Sequence, residues 1–400
     1  MKNLRQQVIS KLRTAIILVA AFGLGVVVTP SAHSQTFNLL YSFCSQSNCK
    51  DGNTPIAGVI QDAKGNLYGT TSLGGTSNWG TVFDLDSSGT ETVLYNFSYV
   101  NGDGANPFGS LIRDAAGNLY GTANYGGPNG QGLVFKVDQT GKETVLHNFT
   151  GGTRDGCAPY AGLIRDKAGN LYGTTVACGA YGYGMVFKLT AAGKEKILHS
   201  FAGPPTDASN PFFGASLIRD AQGNLYGGTY LGGAFGSGAV YKLTASGKET
   251  VLYSFTGGAD GCLPYGAPVM DKLGNLYGTT SQCGSSFAGT VWKLSKGGKE
   301  TVLHTFAGTD GAYPQAGVIL DAKGNLYGTT TSGGANSRGT VFQLSSSGTL
   351  TTLYSFCSLS SCADGTNPAA ELIRDANGNL YGTAQYGGSG NGGTVWKLTP

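Results

Sequence analysis

Charged side chains are scarce in this 400-residue sequence, where Asp, Glu, Lys and Arg together make up 12% of the residues. So little charge leaves few side chains for the solvated faces of amphipathic helices, and no stretch has the period of such a helix. Four of the 26 basic residues lie before residue 35, which leaves 22 basic and 23 acidic residues in the rest. This near-neutral remainder offers no basic surface for phosphate groups, so we expect no nucleic-acid partner.

Glycine and aromatic residues are abundant instead. The chain has 67 glycines, 21 tyrosines and 18 phenylalanines. Many glycines permit many tight turns, and aromatic residues favour strands. The composition therefore indicates an all-β protein.

The first 34 residues have the pattern of a secretory signal peptide. A basic start leads into an apolar run from Ala15 to Val28, and Ala32-His33-Ser34 places small residues where signal peptidase cleaves. The run is short for a membrane span, and the first cysteine, Cys44, is too distant for a lipid anchor. We predict a signal peptide at 1–34 and an exported domain at 36–400, with no membrane span after cleavage. An uncleaved N-terminal anchor is the alternative.

One repeat runs through the rest of the chain. The pentapeptide Gly-Asn-Leu-Tyr-Gly occurs seven times, starting at Gly65, Gly117, Gly169, Gly223, Gly274, Gly324 and Gly378. Around each copy lie four short β-like runs; in the second repeat these are 110–114, 118–122, 133–137 and 143–149. The first two runs are joined by a turn in which Asp114 can hydrogen-bond to the backbone and Gly117 can take a positive φ. Four antiparallel strands in a repeat of this length predict one blade of a β-propeller.

The two ends of the chain predict how the ring closes. Residues 36–43 resemble a fourth strand but precede any complete repeat, and the last repeat ends at Leu398 without a fourth strand. The N-terminal strand is therefore expected to complete the last blade. The resulting prediction is a seven-bladed β-propeller with four antiparallel strands per blade. A linear solenoid is the competing architecture.

The eight cysteines follow the repeats in two spacings, five residues and 21 residues. Export makes disulfides chemically reasonable, and no cysteine cluster has the histidine neighbours typical of a zinc site. We predict four local bridges. They are Cys44–Cys49, Cys157–Cys178, Cys262–Cys283 and Cys357–Cys362.

Each connection between blades contains an aspartate followed four residues later by proline. The seven are Asp51, Asp103, Asp155, Asp207, Asp260, Asp310 and Asp364. As a ring at the channel mouth they could bind Ca²⁺ or sugar hydroxyls, and Ca²⁺ is the one cofactor that this pattern suggests. We favour the structural interpretation, an Asx-type turn, because a residue present in all seven copies serves the copied fold.

No catalytic residue emerges from the sequence. The three histidines after residue 34, His147, His199 and His304, stand where other repeats have tyrosine on the fourth strand, which indicates a packing position. No Ser-His-Asp or Cys-His arrangement is recognisable, and no metal site is expected.

The loop between the second and third strands varies most from repeat to repeat. It carries flat or long side chains among Gly, Asn and Ser, which is typical of a surface that binds sugars or proteins. Packing within the loops is the alternative interpretation. The candidate ligand-binding residues are Trp79, Tyr125, Tyr181, Tyr183, Phe235, Phe287, Arg338 and Tyr386.

The motif Asp-x-x-Gly-Asn-Leu-Tyr-Gly-Thr, followed by Gly-Gly and Gly-Thr-Val-Phe-x-Leu, resembles the GloVer tandem repeat of bacterial "choice-of-anchor" exported proteins. The resemblance covers residues 36–400 in seven copies. Its turn-strand core is also similar, more loosely, to the propeller repeats of two-component sensor domains. The first resemblance implies a secreted or surface protein, commonly anchored at its C-terminus, and brings no catalytic residues. No such anchor follows Pro400, so we expect free secretion or periplasmic residence, with association at the cell surface as the alternative.

Two functions from different classes remain. The first is a non-catalytic, monomeric propeller that binds a glycan or a protein through its long-loop face. The second is a polysaccharide lyase or hydrolase that uses carboxylates at the channel mouth. An enzyme needs one blade to depart from the repeat with its own acid, base or nucleophile, whereas these aspartates occur seven times. The pattern therefore favours binding over catalysis.

Overall fold

The computed structural model describes residues 35–212 and 216–399, so the predicted signal peptide lies outside the described residues. Within these ranges strands dominate, and the helices are two short 3₁₀ turns, Ser47–Cys49 and Ser360–Cys362. Within the described ranges, no helix is long and apolar enough to cross a membrane.

Seven four-stranded antiparallel sheets form the blades. Their strands are given from the innermost to the outermost. Blade 1 contains Ile60–Gln61, Leu67–Thr71, Thr81–Leu85 and Glu91–Asn96. Blade 2 contains Ile112–Arg113, Leu119–Ala123, Leu133–Val137 and Glu143–Asn148. Blade 3 contains Ile164–Arg165, Leu171–Thr175, Met185–Leu189 and Glu195–Ser200. Blade 4 contains Ile218–Arg219, Leu225–Thr229, Ala239–Leu243 and Glu249–Ser254.

Blades 5 to 7 follow the same plan. Blade 5 contains Val269–Met270, Leu276–Thr280, Thr290–Leu294 and Glu300–Thr305. Blade 6 contains Ile319–Leu320, Leu326–Thr330, Thr340–Leu344 and Leu350–Ser355. Blade 7 contains Ile373–Arg374, Leu380–Ala384, Thr394–Thr399 and, as its fourth strand, the N-terminal Thr36–Ser42. Thr36 pairs with Thr399 and Ser42 with Thr394, so the two ends of the chain close the ring. The predicted seven-bladed propeller is confirmed.

The innermost strands are shorter than the sequence suggested. The run 110–114 was expected to form a strand, but only Ile112–Arg113 pairs with the next strand. Neighbouring inner segments crowd each other here: a Cβ added to Gly162 would lie 2.8 Å from the Ser110 carbonyl oxygen. Seven segments converge on one axis, so their first residues pack against each other instead of extending the ladder.

The first hairpin explains the repeated Asp-x-x-Gly-Asn-Leu-Tyr motif. In blade 5, Asp271 Oδ1 accepts hydrogen bonds from the N–H groups of Leu273 and Asn275, both at 2.9 Å. Its Oδ2 accepts from the Asn275 amide at 2.7 Å and the Tyr277 hydroxyl at 3.0 Å. Burial alone would raise the pKa of Asp271, but the hydrogen bonds outweigh it and lower that pKa. The motif is thus one hydrogen-bonded turn, present in every blade.

The core lies in the seven seams, the interfaces between neighbouring blades. Each seam holds a cluster of buried apolar side chains from both blades. In the seam between blades 1 and 2, Phe97 meets Phe135 edge to face at 5.1 Å between ring centroids. The closing seam has the same pair, Phe43 and Phe83, also at 5.1 Å. A single blade has no other partner for these rings, so its apolar faces are buried only in the ring.

Glycines before the third strands let the next blade approach closely. Gly339 has φ +101°, and an added Cβ would collide with the Thr330 carbonyl oxygen and the Pro368 ring of the following connection.

We expect Gly339→Ala to lower the free energy of unfolding by roughly 3 kcal/mol, since it combines backbone strain with overpacking. Gly348→Ala is the matched control: its φ is +90°, but nothing lies within 4 Å of the added Cβ. The control should lose only about 1 kcal/mol. Denaturant titrations compare the two, and equal losses would contradict the close-approach explanation.

Candidate ligand-binding site on the loop face

The inter-blade connections and the loops between second and third strands lie on one face, called here the loop face. In every blade the two are joined by backbone pairing. Three blades have short extra ladders: Gly104–Ala105 with Tyr125–Gly126, Gly156–Cys157 with Ala177–Cys178, and Ala208–Ser209 with Leu231–Gly232. Four have single bridges: Asn53–Leu73, Cys262–Gln282, Ala312–Ser332 and Thr366–Tyr386. The loops are therefore attached to a rigid frame.

Each connection is also tied to the preceding blade. The N–H of Asn367 donates to the Arg338 carbonyl at 3.0 Å, and that of Tyr313 donates to the Ala288 carbonyl at 2.9 Å. The residues at this position all have positive φ, between 50° and 61°. They are Thr54, Asn106, Ala158, Asn210, Leu263, Tyr313 and Asn367. The proline that follows each of them then leads the chain toward the axis.

An aromatic arc, defined here as Phe108, Tyr160, Phe212 and Tyr265, occupies the position after this proline in four consecutive blades. Phe108 stacks on Tyr160 at 5.1 Å, and Tyr160 stacks on Phe212 at 4.9 Å. Phe212 and Tyr265 meet edge to face at 5.9 Å. Burial, and then a hydrogen bond with Tyr230, raise the pKa of Tyr265. The arc is thus a row of half-buried rings on the loop face.

A cleft of about 440 Å³ continues from Tyr265 across blades 5 to 7. Its walls are amide and hydroxyl side chains with two further phenol rings, and Arg338 is the one charged residue among those described in its lining. The lining residues are Tyr265, Ser281, Gln282, Tyr313, Gln315, Thr331, Ser332, Ser337, Arg338, Thr366, Asn367 and Tyr386. Such a surface offers flat apolar rings beside many neutral hydrogen-bonding groups.

Two of the eight candidate residues, Arg338 and Tyr386, line this cleft. Tyr125 lies near the arc, where its phenol adds to the raised pKa of Tyr160, a shift caused first by burial. Trp79 is half-buried and packs on Tyr99 at 4.8 Å between ring centroids. The other four are exposed and lie outside the cleft lining. They are Tyr181, Tyr183, Phe235 and Phe287.

The sequence did not single out the arc, although one pattern points to it. The residue after each connection proline is Ile56, Phe108, Tyr160, Phe212, Tyr265, Gln315 or Ala369. Four aromatic residues in sequence are visible there once the repeats are aligned.

All four predicted disulfides are formed. Cys157–Cys178 and Cys262–Cys283 join a connection to the loop that pairs with it. Cys44–Cys49 and Cys357–Cys362 close the 3₁₀ turns at the start of two connections. Every bridge therefore lies in the loop face.

The seven connection aspartates do not form a rim around the channel. Asp364 accepts hydrogen bonds from the Tyr354 hydroxyl at 2.7 Å and the Ser358 N–H at 2.9 Å, and Tyr354 lies on an outermost strand. The other six likewise accept a backbone N–H from the residues just after the fourth strand. The seven are Asp51, Asp103, Asp155, Asp207, Asp260, Asp310 and Asp364. This placement supports the turn interpretation, because the carboxylates close turns far from the axis.

A second carboxyl lies near five of these aspartates. It belongs to the first residue of the next blade's fourth strand, as in Glu143 beside Asp103. In each case Oε1 is buried without a hydrogen-bond partner. Burial, and then the aspartate charge, raise the pKa of these side chains to about 7. They are Glu91, Glu143, Glu195, Glu249 and Glu300.

One channel-lining acid departs from the repeat, and sequence reasoning missed it. Glu371 precedes the innermost strand of blade 7, where the other blades have Gly58, Ser110, Gly162, Ser216, Ala267 and Gly317. Glu371 lines the central channel, and the part of the channel on one side of this residue has a volume of about 240 Å³. Its Oε1 is buried without a hydrogen-bond partner, and burial raises its pKa to about 7. Comparing the seven copies position by position would have found it.

A model of the Gloeobacter/Verrucomicrobia repeat matches residues 18–215 and 213–400. The chain belongs to this repeat family. The GloVer resemblance inferred from the Asp-x-x-Gly-Asn-Leu-Tyr motif is thereby confirmed. No curated protein sequence matches this family member.

Solved structures share the fold at low sequence identity. One is the extracellular domain of a protein assigned to the hybrid two-component systems of B. thetaiotaomicron, with a TM-score of 0.58 and 12% identity. That match covers 90% of this chain and 39% of the other. A puromycin-hydrolyzing peptidase of Mycobacterium tuberculosis matches with a TM-score of 0.51 and 12% identity, over 84% of this chain and 50% of the other. The chain thus spans half or less of these proteins, and the likeness shows the fold alone.

The paired carboxyls predict how stability depends on pH. The pKa of Glu91, Glu143 and Glu300 is raised to about 7, so the folded protein binds more protons than the unfolded chain between about pH 4.5 and 7. Stability should therefore fall as the pH rises through this window. Below about pH 4 it should fall again, since the turn aspartates such as Asp271 have lowered pKa values. Melting temperatures from pH 3 to 8 should show a maximum near pH 4 to 5.

Glu143→Gln provides the control for this profile. The amide keeps the shape of the side chain without a titrating proton, so it should raise the melting temperature at pH 7.5 and leave it nearly unchanged at pH 4.5. A melting temperature that rises steadily from pH 4.5 to 7.5 in the wild type would exclude proton uptake by these carboxyls.

Proposed function

We propose that the protein is an exported, non-catalytic propeller that binds a glycan at its loop face, in the cleft that crosses blades 5, 6 and 7 and along the adjoining aromatic arc. The observation that carries the proposal is the continuity of the two surfaces through Tyr265. Stacked rings lead directly into a cleft lined with neutral amides and hydroxyls.

The chemistry of the cleft suits a sugar chain better than other ligands. A pyranose ring presents C–H groups to an aromatic face and hydroxyls to its edges, which match the phenol rings and the amide and hydroxyl walls. One arginine among many neutral groups is a weak attraction for polyanions. The same exposed rings could instead contact a protein partner. A glycan array distinguishes a glycan ligand from a protein ligand.

Export is supported by independent features. Four disulfides in one chain are typical of an oxidising compartment. The N-terminal pattern of residues 1–34 indicates secretion. Secretion or periplasmic residence, with attachment to the cell surface through a bound glycan, fits both features.

The test is a glycan array followed by affinity measurements on variants. Tyr386 is 44% exposed and Tyr313 is 42% exposed, so replacing either with Ala removes a cleft wall without opening the core. We expect each of Tyr313→Ala and Tyr386→Ala to weaken glycan binding by about tenfold, the usual cost of losing an aromatic contact. Calorimetry with the best glycan from the array measures the change.

Phe287→Ala is the matched control, because Phe287 is an aromatic residue on the same face, 75% exposed and outside the cleft lining. Its affinity should equal that of the wild type. Equal losses in all three variants, or none in the cleft variants, would refute the cleft as the binding site. Binding of a protein partner with no glycan retained on the array would refute the ligand class.

A second candidate function, a carbohydrate-active enzyme, now has a specific residue in its favour. Glu371 is a single acid at the channel axis with a raised pKa, as a general acid requires. Glycoside hydrolysis generally needs a second carboxyl nearby, and among the described channel-lining residues Glu371 is the one acid. Turnover of a polysaccharide panel by the wild type, abolished in Glu371→Gln, would favour the enzyme over the binding protein.

A further inference from the structure

The outer ends of the seven seams share one arrangement of three side chains, and the residue types in it differ from seam to seam. A fourth-strand side chain of one blade, the connection aspartate, and the first residue of the next blade's fourth strand meet there. Tyr, Asp and Glu meet in three seams, as with Tyr95, Asp103 and Glu143. The seam between blades 5 and 6 combines His304 and Asp310 with Leu350. The next seam combines Tyr354 and Asp364 with Phe37, the second residue of its strand, which has the register position of the glutamates.

Two seams combine histidine with both carboxylates. Between blades 2 and 3, His147 Nε2 lies 3.7 Å from Asp155 Oδ2 and 3.9 Å from Glu195 Oε1. Between blades 3 and 4, the equivalent His199 Nε2 lies 3.0 Å from Asp207 Oδ2. In each triad, one ligand atom from each of the three side chains lies within 4.8 Å of the others; the second triad is completed by Glu249.

Two ligand atoms of the first triad lack hydrogen-bond partners. His147 Nε2 and Glu195 Oε1 are both buried without a hydrogen-bond partner. The distances from His147 Nε2 to Asp155 Oδ2 and to Glu195 Oε1, 3.7 and 3.9 Å, are too long for hydrogen bonds, yet close to the roughly 3.4 Å between ligand atoms around a tetrahedral Zn²⁺. The third pair of ligand atoms, from Asp155 and Glu195, also lies within 4.8 Å, so inward adjustment of the side chains would bring all three around one ion.

We propose that the two triads, His147–Asp155–Glu195 and His199–Asp207–Glu249, are Zn²⁺ sites that clamp blade 2 to blade 3 and blade 3 to blade 4. One imidazole and two carboxylates form a donor set that Zn²⁺ accepts, with a fourth position for water. Ca²⁺ takes six to eight oxygen ligands, which these triads do not supply.

The aspartates are already oriented for such a role. Asp155 accepts the Thr150 N–H at 2.7 Å through Oδ2 and the Gly156 N–H at 2.7 Å through Oδ1. Asp207 accepts equivalent bonds from Ala202 and Ala208 at 2.8 and 2.7 Å. Fixed outer contacts of this kind hold a carboxylate in place for a metal. Because each triad takes ligands from two blades, an ion would resist separation of the blades.

The experiment measures Zn²⁺ binding to the purified protein without a histidine tag, by calorimetry and by the visible spectrum of bound Co²⁺. We expect about two ions per chain in the wild type. His147→Tyr or His199→Tyr should remove one each, and the double variant both. These replacements copy Tyr95 from the equivalent position of blade 1, so the seam has a precedent for them in this same chain.

A gain of a site is the sharper test. Tyr95→His places an imidazole beside Asp103 and Glu143, completing a third triad, and should raise the number of bound ions by one. His304→Tyr is the matched control for the two His→Tyr variants, since Leu350 stands where their seams have a glutamate. It should leave the number of bound ions unchanged. Zn²⁺ should also raise the melting temperature of the wild type and not that of the double variant.

A wild type that binds no Zn²⁺, or a double variant that binds as much as the wild type, would overturn the proposal. An unchanged number of ions in Tyr95→His would count against the triad as the binding unit. The triads share no residue with the loop-face cleft, so these results are separate from those of the glycan experiments.

Discussion

The structure depends on burial that only a neighbouring blade can provide. Phe97 has its ring partner in Phe135 of the next blade, and an equivalent pair of aromatic rings lies in every seam. In three seams the partner of the phenylalanine is Tyr241, Trp292 or Trp396. Because no blade buries its apolar faces alone, stability is shared around the ring, and closure by the strand Thr36–Ser42 completes a seam as well as a sheet. The absence of a side chain at Gly339 lets the following connection approach closely, which allows the same packing between neighbouring blades.

Repetition separates scaffold from function in this fold. The turn aspartates and the connection aspartates occur in every blade, and their hydrogen bonds show why: each closes a turn that every blade needs. Residues that differ between blades are not required for the shared turns, so they can contribute to ligand binding. The aromatic arc spans four blades, the cleft three, and Glu371 belongs to one.

The seams illustrate how a scaffold position can acquire chemistry. Tyr95 and His199 both bond to a connection aspartate, and either serves the turn. Where histidine coincides with a glutamate from the next blade, the same seam gains a metal-ligand set. An exchange of tyrosine for histidine that keeps the bond to the aspartate therefore alters what the seam can bind, and the seams with tyrosine serve as internal comparisons.

The sequence by itself determined the blade count, the ring closure and the disulfide pairing. Each depends on short-range or repeated patterns: a turn closed by Asp271, Asn275 and Tyr277, seven copies of a pentapeptide, and cysteines a few residues apart or on paired loops. It also favoured a turn role for the connection aspartates over a ring at the channel mouth, and their hydrogen bonds lie at turns beside the outermost strands.

Only the tertiary structure decided which side chains share a surface. Phe108 and Tyr160 are 52 residues apart in the chain, and Glu371 meets the channel only because seven innermost strands converge. His147 and Glu195 belong to different blades and come together because the outer ends of neighbouring blades touch. Radial packing sets these distances, and a one-dimensional repeat does not specify which of its copied positions face each other across a seam.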